Sequence, residues 1–182
     1  MQMNDSRLIA ASPAVVWAAL LNPEVLKAAV PGCEELTGSV AEGYEAAVVQ
    51  KVGPVKARFT GLVTFADIVE GESLTLLGEG KGGAAGFAKG EAKVALEPAI
   101  LEDGSAGTKL TYTVDAKVGG KLAQLGSRII DGFARKMADE FFGRFADAVE
   151  GPKDEPEAEA DAPAAEGEAP KKGWFKRMLG SD

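Results

Sequence analysis

The chain has no histidine and a single cysteine, Cys33, among its 182 residues. That inventory removes the usual zinc ligand sets, imidazole acid–base pairs, and the serine–histidine and cysteine–histidine nucleophile systems. Carboxylates, lysines and tyrosines remain, and these could still serve a lyase or an isomerase. They do not converge. Asp131, Asp139 and Glu140 stand among Arg128, Arg135, Lys136 and Arg144. The spacing of Asp131 with Arg135, and of Arg135 with Asp139, is that of ordinary ion pairs on a solvated helix face. Cys33 follows Pro31 and Gly32 and reads as a small, half-buried residue rather than a reactive thiol. The sequence therefore names no catalytic residue and no metal ligand, and the chain is expected not to be an enzyme.

Four polar side chains could still orient a ligand: Tyr44, Gln50, Arg58 and Tyr112. Whether they face a binding site depends on the elements that carry them. Residues 7–11 suit a short strand. Ser12 and Pro13 then supply the N-cap and first-turn proline of a helix running to about Leu21, and Asn22 with Pro23 repeats that signal for a second helix through about Ala29. Period-two alternation follows. Leu110, Tyr112, Val114, Ala116 and Val118 share one face, opposite Lys109, Thr111, Thr113, Asp115 and Lys117. The same reading turns Tyr44, Ala46, Val48 and Val52 inward, joined across Gly53 and Pro54 to Ala57, Phe59, Gly61, Val63 and Phe65. A third pair sets Leu74, Leu76, Gly78 and Gly80 against Ala88, Gly90, Ala92, Val94 and Leu96. One face of this sheet is packed and the other wet. Tyr44, Gln50 and Tyr112 fall on the packed face and Arg58 on the wet one.

The packing partner is the stretch from about Leu122 to Val149. Leu125, Ile129, Phe133, Met137, Phe141, Phe145 and Val149 recur every four residues, and Leu122, Ile130, Ala134, Ala138 and Phe142 widen the stripe. A four-residue repeat drifts about 40° per step on a helix of 3.6 residues per turn, so the apolar surface winds around the axis. A curved antiparallel sheet of about seven strands, wrapped around this C-terminal helix with two short helices after the first strand, meets that demand. The fold expected is α+β, of the helix-grip type.

Side-chain size is uneven along the inner face. Gly78, Gly80, Ala88, Gly90 and Ala92 lie toward the turn at 82–86, whereas Leu74, Leu76, Val94 and Leu96 fill the other end. Alternate turns of a meander share an end, so Gly53, 82–86 and Gly119 should lie together. Small residues facing a bulky helix mean either a close helix approach or an apolar pocket. In the second reading the walls are Trp17, Leu21, Tyr44, Phe59, Phe65, Gly80, Phe87, Gly90, Tyr112, Ile129, Phe133, Met137 and Phe141. A flat or chain-like apolar molecule such as a quinone fits them.

Charge divides the chain into three: net −5 over 1–151, −6 over 152–170 and +3 over 171–182. The middle part is rich in Pro, Ala and Glu, lacks large apolar residues, and reads as a disordered linker whose ends sit about 25 Å apart. In the last part Lys171, Lys172, Lys176 and Arg177 surround Trp174, Phe175, Met178 and Leu179, a basic amphipathic tip suited to an anionic membrane surface. A motif docking on a partner protein, or a disordered end, are the alternatives. With no run of about 18 apolar residues and no signal-peptide pattern, the chain is expected in the cytoplasm, and the basic tip leads to the expectation that it is peripheral on the inner face of the membrane. The overall charge of −8 argues against nucleic acid as a partner.

Three blocks, VPGCEEL at 30–36, KVGPVKARFTG at 51–61 and VGGKLAQLGSRIIDGFARKMADEFFGRF at 118–145, resemble the carbon monoxide dehydrogenase G-subunit family of the START-like superfamily. The resemblance covers about residues 1–150. It implies a partner, a molybdenum hydroxylase of the carbon monoxide dehydrogenase type. It also implies membrane attachment, electron transfer toward membrane quinone (menaquinone or ubiquinone), no catalytic site and no covalently bound cofactor. A scaffold without ligand and a cyclase- or aromatase-like enzyme of the same fold stay open beside it.

Overall fold

The computed structural model describes residues 1–150; the acidic linker and the basic tip lie outside the described residues. The strand β1 (Gln2–Ile9) leads into α1 (Pro13–Leu20), where Ser12 Oγ accepts the Val15 N–H at 3.4 Å. Asn22 Oδ1 accepts the Glu24 N–H at 2.9 Å and opens α2 (Pro23–Ala29). Both caps satisfy helix-end donors that would otherwise need water. Six further strands follow: β2 (Cys33–Ser39), β3 (Gly43–Val52), β4 (Val55–Val69), β5 (Ser73–Lys81), β6 (Phe87–Ile100) and β7 (Ala106–Gly119). The chain then forms α3 (Lys121–Gln124) and α4 (Ser127–Glu150).

All strand pairs are antiparallel, in the spatial order β1-β7-β6-β5-β4-β3-β2. This is the helix-grip arrangement. The expected alternation runs through β3 to β7, except that Ala47 on β3 and Thr75 on β5 are buried although they have the outward parity. Three features differ from the sequence expectation. Strand β1 starts at Gln2 rather than Arg7, because the Met1 amine and carbonyl already exchange hydrogen bonds with Ala116; the polar run Asn4, Asp5, Ser6 hides a strand that lies at the sheet edge. Strand β2 carries a bulge between Cys33 and Glu35, which erases any period-two signal. The long C-terminal helix is interrupted: Gly126 has φ 90, a left-handed conformation that separates α3 from α4.

Burial concentrates at the two ends of the groove between sheet and helix. At one end Ile9, Val16, Trp17, Ala29, Leu74, Val94, Leu96, Leu110, Tyr112 and Phe145 form the main core, under α1 and α2. At the other, Val52, Leu122 and Ile130 form a small second core, with Phe59, Val118, Leu125 and Phe133 against it. Phe145 is fully buried and ties α4 to α1 and the sheet. Phe145→Ala should therefore destabilise the domain by about 3–5 kcal/mol, read as the shift of the urea midpoint at constant slope. A loss below about 1 kcal/mol would show that α4 is not anchored there.

Candidate ligand-binding site

Between the two cores the inner face of the sheet is built from small residues in register. One cross-strand row runs Ala46, Gly61, Gly80, Ala88, Val118, and the next runs Tyr44, Val63, Gly78, Gly90, Ala116. Gly61, Val63, Gly78, Gly80, Ala88, Gly90, Ala92 and Ala116 are each only half-buried, although they face the helix side of the sheet. Water reaches positions that a seated helix would cover. The backbone of α4 makes its close approaches mainly to α2, with a few to α1, α3, β1 and β3, and fewer to the central strands β4, β5, β6 and β7.

The glycines separate the two physical readings of a small-residue face. A methyl group built on Gly78 would meet only Val63 Cγ2, at 3.8 Å, and one on Gly80 only Thr60 O, at 3.9 Å; no helix atom comes within 4 Å of either. At Gly61 the same methyl would press on Glu79 O at 2.8 Å, and at Gly90 it would collide with Asp115 O and Ala116. Gly61 and Gly90 thus permit neighbouring strands to coil closely, whereas Gly78 and Gly80 face open space. The hollow lies over those two residues.

The predicted walls divide. Trp17 and Tyr112 are part of the main core, and Leu21, Phe65 and Phe141 pack against it. Tyr44 is 3% exposed and meets Phe65 edge-on at 5.6 Å. Phe59 and Phe133 belong to the second core, and Ile129, 39% exposed, leans toward the Gly53 turn. Met137 is half-buried and packs with neither core. Phe87 is a correction. It sits one residue out of phase with Ala88 and Gly90, so its ring lies on the outer face against Gly119 and is 44% exposed; it lines nothing inside. The Gly82 and Gly86 turn does meet Gly119 and Gly120 as expected, and Phe59 lies over Gly82.

Two of the polar candidates, Tyr44 and Gln50, prove to tie the α1 and α2 layer to the sheet. The Tyr44 hydroxyl donates to Leu21 O at 2.6 Å, and burial pushes its pKa up, so the phenol stays neutral. Gln50 Nε2 donates to Pro31 O. Arg58 faces out and pairs with Glu34 at 2.9 Å and Glu35 at 3.3 Å, bridging β4 to β2 across β3. Arg7 is a residue that sequence reasoning missed. It is on the inner parity of β1, donates from Nη2 to Asp139 Oδ1 at 2.7 Å, and lies 5.0 Å from the Phe142 ring centroid, which itself stacks on Tyr112 at 5.1 Å. Burial disfavours its charge, but Asp139 and Tyr112 outweigh this and its pKa is raised. Asp139 therefore serves α4 and β1, not a pair within the helix. An arginine at inward parity on a strand is the sequence signal that could have shown it.

Residues 6–150 match the carbon monoxide dehydrogenase G-subunit family, CoxG. The chain belongs to this family. No curated protein sequence matches the chain. Among solved structures, it is similar to a conserved protein from Geobacillus kaustophilus, with 29% identity and a TM-score of 0.75 over 82% of this chain and 95% of that one. A START superfamily protein from Mycobacterium smegmatis matches at 14% identity and TM-score 0.58, over 82% and 97% of the two chains. A truncated norcoclaurine synthase from Thalictrum flavum matches at 15% and 0.53, over 84% and 94%. The last two show the fold alone, and the synthase shows that this fold can carry an enzyme. The CoxG family is one of accessory subunits, and among the described residues no helix is long and apolar enough to cross a membrane.

The surroundings of the glycines yield a paired expectation. Gly78→Ala and Gly80→Ala should leave stability within about 0.5 kcal/mol of the parent, whereas Gly90→Ala should cost about 1–3 kcal/mol through overpacking. Equal losses at all three, by chemical denaturation, would mean that the hollow is closed in solution.

Proposed function

We propose that the domain is a non-catalytic carrier for an apolar molecule, a membrane quinone, and that it serves a molybdenum hydroxylase of the carbon monoxide dehydrogenase type. The observation that carries this reading is the half-buried apolar floor at Gly78 and Gly80, beneath a helix that stands away from it. An apolar ligand seated there would complete the burial that the chain leaves undone, at about 25 cal/mol per Å² of apolar surface removed from water. The family's name supports carbon monoxide dehydrogenase as the partner enzyme. Menaquinone and ubiquinone both offer a flat head and an apolar chain suited to a long, narrow hollow.

The basic tip at 171–182 would bring the hollow to an anionic leaflet, with the linker at 152–170 giving it reach. Attraction of about 1 kcal/mol per basic residue makes the attachment reversible and salt-sensitive. Two measurements test the two halves separately. Organic extracts of the purified full chain, analysed by mass spectrometry, should contain a quinone in amounts approaching one per chain, and Gly80→Leu should remove it; extracts free of apolar molecules, with no binding of added quinone, refute the carrier. Deleting 171–182 should abolish co-sedimentation with anionic liposomes at low salt, and unchanged sedimentation refutes the membrane role of the tip.

A further inference from the structure

Charge is sorted along the sheet. The segments that meet at one end, 51–58, 80–90 and 116–130, carry three, two and three lysines and arginines and not one acidic residue. The turns at the other end, within 38–45, 66–73 and 96–108, carry two, three and three acidic residues and no base. All sixteen of these side chains are exposed. Strands of nine to fifteen residues run between the two ends. That separation is about 25 Å or more, well beyond the roughly 8 Å over which physiological salt screens a charge. The net charge of −5 over 1–151 thus conceals a basic cap.

The cap is short of partners. Arg58 pairs with Glu34 and Glu35, and the other seven bases make no ion pair among the described residues. Lys51 and Lys56 are direct cross-strand partners, as are Lys89 and Lys117. Like charges placed so weaken a sheet, a cost that an anionic surface would relieve. Apolar side chains stand among these bases on both sides of the sheet. Phe87, 44% exposed, lies opposite Lys81 and two residues before Lys89 on the outer face. Ile129, 39% exposed, follows Arg128 on α4. A headgroup region with acyl chains beneath it takes up both kinds of side chain. We propose that this end of the domain is a docking surface for an anionic lipid leaflet, entered by Phe87 and Ile129 and held by the bases around them. The domain's net negative charge opposes an approach from solution, so docking follows tethering by the tip, when the linker keeps the domain at high effective concentration. Docked in this way, the domain turns Gly80, which directly precedes Lys81, toward the bilayer and its acidic turns away from it. The inference rests on the membrane reading of the tip for the approach, and goes beyond it in assigning a second surface and an orientation.

The test uses the full chain and vesicles of phosphatidylcholine mixed with phosphatidylglycerol. Lys51→Gln, Lys81→Gln and Lys117→Gln together remove three bases from this end, and Lys27→Gln, Lys93→Gln and Lys109→Gln remove the same charge elsewhere. At about fivefold per base near an acidic leaflet, the first set should lower partitioning by about a hundredfold and the second by less than about twofold. Equal losses in the two sets overturn the proposal. No loss in either also overturns it, and leaves the cap to an acidic protein surface. A parent that does not partition overturns the membrane reading of the tip and this inference together, whereas a loss with the first set but none on deleting 171–182 supports the docking surface and removes the tip. Amide hydrogen exchange on the parent locates the contact: the vesicles should slow exchange in 81–87 and not in 100–106, and slowing confined to 171–182 overturns the proposal.

Discussion

The apolar stripe of α4 is held to the rest of the domain through two clusters of large side chains, one at Ile130 and Phe133 and one from Ala138 to Val149, with Met137 between them. Phe145, with Phe141 and Phe142 beside it, secures one end against α1, α2 and the bulky ends of β5, β6 and β7. Leu122 and Ile130, with Phe59 and Phe133, secure the other. Large side chains at both ends act as pillars that hold the helix away from the central strands. Arg7 adds a third attachment, drawing α4 toward β1 through Asp139. The pair is partly exposed, so its effect is to fix position more than to add stability. A helix held at its ends above a floor of glycine and alanine leaves a gap by construction.

Curvature makes that geometry possible. Gly61 and Gly90 let strands β4 to β7 coil more tightly than any side chain would allow, and the bulge between Ala66 and Val69, with Asp67 at φ 51, bends β4 further. The same stretch of small residues therefore does two things at neighbouring positions. Gly61 and Gly90 shape the sheet, and Gly78 and Gly80 leave room inside it. Polar groups are divided in a similar way. Tyr44, Gln50 and Thr108 spend their donors on the backbone of the α1 and α2 layer, while the Trp17 indole has no such partner.

Much of this is legible in the sequence. The two Ser/Asn-Pro caps, the alternation of β3 to β7 and the four-residue repeat of α4 each have one dominant local cause, and each appears where expected. What stays hidden depends on competing or distant causes. Strand β1 is polar because it is an edge strand, and β2 loses its pattern to a bulge. The α3–α4 break rests on Gly126 alone, inside an otherwise unbroken apolar repeat. Phe87 resembles a wall because it is aromatic and close to the glycine turn, but parity with Ala88 and Gly90 already sends it outward. Asp139 has a plausible partner in its own helix, and the inward parity of Arg7 on β1 is the one sequence hint that it pairs across the fold instead. The choice between a pocket and a close helix approach cannot come from composition, since both use glycine; it turns on which atoms surround each one.

The most direct measurement is a crystal structure of the full chain with a short-chain naphthoquinone bound. The account requires electron density over Gly78 and Gly80, beneath Met137, with α4 still held at Phe145 and Ile130. Density confined to the protein surface, or side chains of α4 packed down onto Gly78 and Gly80, would contradict it.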